Sequence, residues 1–336
     1  MPSSIAIHAA IFTAGAVVGG GIAAAVANRK GRPIQPLSVQ TTDKGNQAVA
    51  LTAPAGLPVL KYGNPGPIAD PLVRKAYVAA YDRRLRHPAW TAEHLSLASL
   101  GKSALSNSLD PSESGDRTKS SFSEDLSIPA AFRARLQDYF RSGYDRGHMV
   151  PAADAKSSQE AMNETFLLSN IAPQVGDGFN RHYWAYLEDW CRRLTGTFQD
   201  VYVFTIPLYL PKLGPDGKWR VIHEVIGNPP NVAVPTHFAK VVLATRPSTP
   251  STPHLSEVST GAFVLPNSSI PDEAPLESFV TPVEAVERAA GLTLFSDEIK
   301  EAAKHICKTT KCQVIVRRFD DARKNGRQVK AITAPK

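Results

Sequence analysis

The sequence predicts an α+β fold built on a mainly antiparallel sheet flanked by helices. Strand-like and helix-like segments are mixed along the chain without regular strand–helix alternation. Asp200 to Tyr209 (DVYVFTIPLY), Arg220 to Ile226 and Val234 to Ala244 are rich in β-branched and aromatic residues, and a turn signal at Pro215-Asp216-Gly217 joins the first two. The chain has 336 residues, 43% hydrophobic and 21% charged, enough apolar material for one large domain or two small ones.

Taken in order, residues 5 to 28 contain no Lys, Arg, Asp or Glu, and Arg29, Lys30 and Arg32 follow at once. A helix of roughly 20 apolar residues spans a bilayer, so residues 1–30 are expected to be a membrane anchor, in contact with lipid through residues 5–27, or a cleaved targeting segment. Residues 31–57 mix Pro, Gln, Thr, Gly and Lys without periodicity and read as a linker. Tyr77 to Asp82 alternates as a strand does, and Asn107 to Ser123, rich in Ser, Asp and Gly, reads as a loop. Pro129 to Phe140 has helical spacing, and a further helix begins near Phe179. Residues 246–275 are dominated by Pro, Ser and Thr and are expected to be a long, mobile surface insertion. Pro282 to Ala290 and Ser296 to Lys308 read as closing helices, followed by a basic tail at 326–336.

A net charge of +7 favours a polyanionic partner, for which nucleic acid and an acidic membrane both qualify. Cys191, Cys307 and Cys312 are too few for a secreted disulfide framework and lack zinc spacing. Cys307 and Cys312 could bridge locally, but free buried thiols are the expected state.

Ser142 to Thr195 concentrates the groups that phosphodiester cleavage requires: a base for water, a cation for the developing charge, and donors for the phosphate. His148 is the natural base, because imidazole titrates near physiological pH. Arg146 stands two residues earlier and can brace a phosphate. Asn180, Trp184 and Glu188 recur at i, i+4 and i+8, on roughly one helix face. Asn180 and Glu188 would then be about 12 Å apart along the axis. The two side chains would not easily bind one ion together; Asn180, at the helix start, is the better direct ligand, with Glu188 expected to act through water and Trp184 to pack. A single protein oxygen among waters and phosphate oxygens suits magnesium. Taken alone, Asn180 would read as a helix N-cap and His148 as a structural histidine.

In DRGH (145–148), then NIAPQ (170–174), then FNRHYWAYLE (179–188), the chain resembles the DNA/RNA non-specific endonucleases of the ββα-metal fold, particularly their mitochondrial members. The likeness extends to Leu60-Lys61-Tyr62-Gly63, to Tyr81-Asp82-Arg83-Arg84 with Pro88-Ala89-Trp90, and to Pro235-Thr236-His237-Phe238. It implies a nuclease domain over 58–325 that cuts DNA and RNA with Mg2+, for which Mn2+ can substitute, and leaves 5′-phosphate ends. By the same resemblance His148 is the general base and Asn180 the direct magnesium ligand. Glu188 orients the water shell, Arg146 contacts the phosphate, and Asn170 lies near the active-site histidine. Arg83 or Arg84 is the candidate for a further nucleic-acid contact. The resemblance also implies a homodimer in the mitochondrion, at the inner membrane or in the intermembrane space, acting in DNA degradation during cell death and in mitochondrial DNA turnover.

Two other classes remain to be weighed. A non-catalytic nucleic-acid binder would be expected to have lost His148, Asn180 or Glu188, and all three are present. A membrane-anchored protein binding acidic lipid accounts for residues 5–32 and the charge, but not for the residues of 142–195.

Overall fold

A computed structural model describes residues 69–101, 114–249 and 252–316. They fall within one compact unit, Leu51–Lys336. The expected anchor (1–30), linker (31–57) and basic tail (326–336) lie outside the described residues. Among the described residues no helix is long and apolar enough to cross a membrane.

The centre is an eight-stranded sheet. Its strands are β1 (Ala69–Val73), β2 (Tyr77–Asp82), β3 (His87–Leu95), β6 (Asp200–Leu208), β11 (His237–Thr249), β12 (Thr252–Pro266) and β13 (Val280–Thr281), hydrogen bonded in that order. All these pairings are antiparallel, and β14 (Lys304–His305) adds to β12 in parallel. A separate ladder pairs β4 (Asp145–His148) with β5 (Ile171–Gln174), and an irregular wide turn of helix, Gly176–Tyr183, runs on into α3 (Trp184–Leu194). Ladder and helix together are the ββα element, and the expected α+β class holds.

Side-chain alternation divides the sheet into two faces. Val201, Val203, Phe238, Val242, Phe263 and Leu265 face the helix α3, whose Trp184, Leu187, Trp190, Cys191 and Leu194 complete that core. Burying each such large side chain contributes about 1.5–3 kcal/mol. Ile206, Leu208, Ala239, Val241 and Ala262 face the other way, onto Val283 and Val286 of α4 (Val283–Ala290) and Phe295. On the α3 side the sheet also carries a polar strip. Thr91, Glu93, Thr205 and Lys240 are all buried there. Lys240 donates from Nζ to Thr205 Oγ1 at 2.8 Å and stands 5.0 Å from the Trp184 ring.

Several elements differ from expectation. Residues 246–275 are not a loop insertion: β11 continues to Thr249, and β12 returns from Thr252 to Pro266 in register, Arg246 opposite Glu257 and Phe238 opposite Leu265. A ladder needs backbone donors and β-compatible side chains, which Thr and Val supply, so a Ser/Thr-rich composition does not preclude it. Pro247 lacks an N–H, and the register shifts beside it. Pro129–Phe140 is not one helix but a 3-10 turn at Ala130–Phe132 and a single turn, α1 (Leu136–Tyr139). Tyr81 OH donates to Phe132 O and accepts from the Ala134 N–H, which holds the intervening chain extended. The strand expected over 220–226 is reduced to the short pairs β7–β8 (Lys212–Leu213 with Trp219–Arg220) and β9–β10 (Val225–Ile226 with Val232–Ala233). The last helix is split into α5 (Asp297–Ala302) and α6 (Ile306–Thr309) around β14. Between β4 and β5 lies α2 (Gln159–Glu164), capped by Ser158.

Cys307 and Cys312, expected as free thiols, form a disulfide, with Cα atoms 5.1 Å apart. The turn that ends α6 brings the two side chains together, a proximity set by backbone path rather than by spacing. Cys191 is free and buried in α3.

Candidate active site

The β4–β5 ladder sets the first half of the site. Arg146 is opposite Pro173, Gly147 opposite Ala172 and His148 opposite Ile171. Gly147 is required by close approach, because a Cβ there would run into the Gln174 side chain. His148 is buried between Phe122 and Phe166, with ring centroids 5.3 and 4.8 Å away. Burial, seconded by the charge of Arg117, pushes its pKa down to about 3, so the ring is uncharged at neutral pH. Nε2 has no hydrogen-bond partner among the described residues. Arg146 lies over the outer face of Phe122 at 4.5 Å, and Arg117 over Phe166 at 5.6 Å.

The wide turn sets the second half. The Asn180 N–H donates to Val175 O, a five-residue span, after Asp177 and Gly178 (φ +74°) leave helical geometry. Wide turns of this kind recur at functional sites. Asn180 Nδ2 donates to Asp145 Oδ2 at 2.9 Å, which leaves its carbonyl oxygen as the open pole. Hydrogen bonds from Arg181 hold the Asp145 carboxyl below the usual range, so it stays charged and keeps the Asn180 amide oriented. Glu188 follows two turns later. Burial pushes its carboxyl up to about 7 against the pull of Lys240 and Arg192. A cation or its water shell beside it would favour the ionised form.

These groups meet in one cavity of about 560 Å³, lined among others by Arg117, Arg146, His148, Asn180, Arg181, Glu188 and Arg192. Trp184 does not share that wall, because it is buried in the core against Phe179 and Phe238. The wide turn shifts the register between Asn180 and the regular helix, so the single face expected for all three residues does not form. Asn170 does not touch the cavity. It is fully buried, and its amide donates to Val150 O and Thr165 O and accepts from the Val150 N–H. It therefore positions the chain just after His148. Arg83 and Arg84 are also elsewhere, at the β2–β3 turn, paired with Asp70 and Asp82.

The arginines that do line the cavity beyond Arg146 were not singled out in the sequence. Arg192 was accessible to helical spacing, four residues after Glu188. Its NH1 donates to Asp154 at 2.7 Å. Arg117 had no such signal, because it comes from the Ser/Asp-rich stretch that only the tertiary path brings over Phe166.

A metal fits the donor set. Among the described residues no three His, Cys, Asp or Glu side chains converge, so no all-protein cage exists. One open amide oxygen and one nearby carboxylate instead suit a hard cation that retains most of its water.

Comparisons with known proteins agree with this geometry. Residues 55–300 match the model of the DNA/RNA non-specific endonuclease family. The chain is 52% identical over 259 residues to Nuclease 1, mitochondrial, of Schizosaccharomyces pombe, covering 77% of this chain and 76% of that protein. It is 48% identical over 278 residues to the mitochondrial nuclease of Saccharomyces cerevisiae, covering 82% and 81%. Among solved structures, the crystal structure of the EndoG/EndoGI complex superposes with a TM-score of 0.63 at 42% identity, covering 74% of this chain and 94% of that one.

Proposed function

The chain belongs to the DNA/RNA non-specific endonuclease family, and from that premise we propose that it is a magnesium-dependent endonuclease that hydrolyses DNA and RNA without sequence or sugar preference, leaving 5′-phosphate ends. The observation that carries this reading is the convergence on one cavity of an uncharged buried imidazole, an open amide oxygen and four arginines.

In this mechanism His148 takes a proton from the water that attacks phosphorus in line with the departing 3′ oxygen. The ring is uncharged at neutral pH, and its Nε2, without a hydrogen-bond partner among the described residues, is the atom left to take the proton. Arg146, Arg117 and Arg192 brace the phosphate oxygens, held in place by stacking on Phe122, stacking on Phe166 and pairing with Asp154. Asn180 would hold the ion directly through its carbonyl oxygen, with Glu188 reaching it through water. Magnesium, or manganese in its place, supplies neutralisation of charge developing on the phosphate and leaving oxygen. Asn170 keeps His148 in position. Arg83 and Arg84, paired within the fold, are assigned no role at the cleaved phosphate. Because the contacts are to phosphate rather than base edges, binding is expected to be indifferent to sequence.

The relatives named as mitochondrial support placement in the mitochondrion; within it the proposal puts the protein at the inner membrane or in the intermembrane space, with residues 5–27 as the attachment and 58–325 as the nuclease domain. The disulfide supports a compartment that is not strongly reducing. With that placement the proposal extends to DNA degradation during cell death and to mitochondrial DNA turnover. A homodimer is supported by the exposed apolar residues Leu213, Trp219, Val221, Ile222 and Val225, all within one short stretch of the chain, which a second copy would cover.

The test is incubation of the purified protein with supercoiled plasmid and with single-stranded RNA, with magnesium or with EDTA. Wild type with magnesium should degrade both, and His148→Ala should lose 10²–10⁴-fold of the rate, as expected for a general base. A folded wild type that binds DNA but leaves it intact would instead identify a nucleic-acid-binding module.

A further inference from the structure

The cavity contains a second imidazole that the mechanism above does not use. His182 lines it from the Gly176–Tyr183 turn, two residues after Asn180. Its Nδ1 accepts a hydrogen bond from the Gly178 N–H at 2.9 Å. A backbone N–H can only donate, so Nδ1 presents its lone pair and the proton of the neutral ring sits on Nε2. Asp177 Oδ1 is 3.7 Å from Nδ1, too far to compete for that nitrogen.

The donor is itself fixed. Gly178 has φ +74°, its carbonyl accepts from the Ile270 N–H at 3.1 Å, and an added Cβ would collide with Ser269. The ring is also restrained from its edge by Tyr186, 6.5 Å away between centroids. Nε2 has no acceptor among the described residues, and the side chain is 29% exposed. Arg181 beside it is turned to Asp145 through two hydrogen bonds. His182 thus offers a directional N–H at a cavity much larger than a single phosphate.

We propose that His182 is a substrate-binding residue whose Nε2–H donates to a non-bridging oxygen of the phosphate adjacent to the one being cleaved. The proposal rests on the reading of this cavity as a phosphodiester-cleaving site. Arginines and a cation serve the scissile group, where charge develops, whereas the single directional N–H of His182 adds binding beside it. It also extends recognition to a second phosphate along the strand. A polymer would therefore gain from His182, and a diester with a single phosphate would not.

The experiment compares wild type, His182→Phe, His182→Ala, His182→Gln and His148→Ala on an oligonucleotide and on bis(4-nitrophenyl) phosphate, with melting temperatures measured alongside. A hydrogen bond to a charged oxygen corresponds to about a tenfold change in affinity or more. His182→Phe and His182→Ala should raise KM for the oligonucleotide by that order with kcat within about twofold, and leave bis(4-nitrophenyl) phosphate hydrolysis unchanged. His182→Gln, which keeps an N–H donor, should recover most of the loss. An unchanged oligonucleotide KM in folded variants overturns the assignment, as does an equal loss on the small diester. In either case a fully active wild type and an inactive His148→Ala leave the site itself standing. A wild type that cleaves neither substrate removes both readings.

Discussion

At His148, burial between two phenyl rings keeps the imidazole uncharged, and the backbone that delivers it tolerates no added bulk. Gly147→Ala would press a methyl group into Gln174 and part the β4–β5 ladder. The expected cost is about 1–3 kcal/mol of stability by overpacking, with a loss of cleavage larger than the unfolded fraction explains. Denaturant melts beside plasmid assays would separate the two. Asn180 is coupled to Asp145 through its amide nitrogen, so Asn180→Asp replaces that hydrogen bond with repulsion while adding a charged oxygen. The magnesium concentration for half-maximal rate should shift, and a titration identical to wild type would count against Asn180 as the ligand. His148, Arg146, Asn180 and Glu188 were legible because one stretch carries them at recognisable spacing. Arg117 and His182 were not. The first depends on a tertiary path over Phe166, and the second was hidden in plain view beside a more conspicuous asparagine.

Among the elements, the disulfide-closed turn after α6 (Ile306–Thr309) ties the C-terminal segment to the site helix. Trp190 Nε1 donates to Lys311 O at 2.9 Å, and Arg193 donates to Gln313 O at 3.2 Å. By loop-closure entropy a bridge of this short span contributes about 2 kcal/mol. Cys307→Ser should lower the melting temperature by a few degrees, with faster amide exchange concentrated after residue 306. Equal melting of the serine variant and wild type would show the bridge to be dispensable. Sequence reasoning was least reliable where composition was read in place of pairing. The Pro/Ser/Thr stretch concealed β12 (Thr252–Pro266), whose partner strand β11 carries the visible pattern. The apolar spacing of 129–140 suggested a helix that the Tyr81 hydroxyl prevents.

For the whole molecule, two buried uncharged histidines make stability depend on pH. Burial lowers His87 to about 4 and His148 to about 3, whereas an unfolded histidine titrates near 6.5. The unfolded chain therefore takes up protons first. The two histidines' contribution should be level above about pH 6.5 and be lost progressively as pH drops toward about 4, while Glu188 and Glu93, raised by burial, contribute in the opposite sense over part of that range. The histidine part is read as a difference: melting curves of wild type and His87→Gln should converge as pH falls from about 6.5, and a constant gap between them would count against a buried uncharged His87. Cleavage should weaken steeply as salt rises, because phosphate contacts displace counterions. A rate indifferent to salt would argue against arginine-led binding. The sheet was legible as a class, from its alternation, though not in its full extent. One property of its architecture bears on how such proteins diverge. Arg146, His148, Asn180, Glu188 and Arg192 all lie between residues 145 and 192, on a ladder and a helix laid over a sheet that supplies only a floor. A single segmental exchange between relatives would therefore carry nearly the whole reaction with it. The strands beneath, and the surfaces outside that segment, are left free to vary from one relative to another.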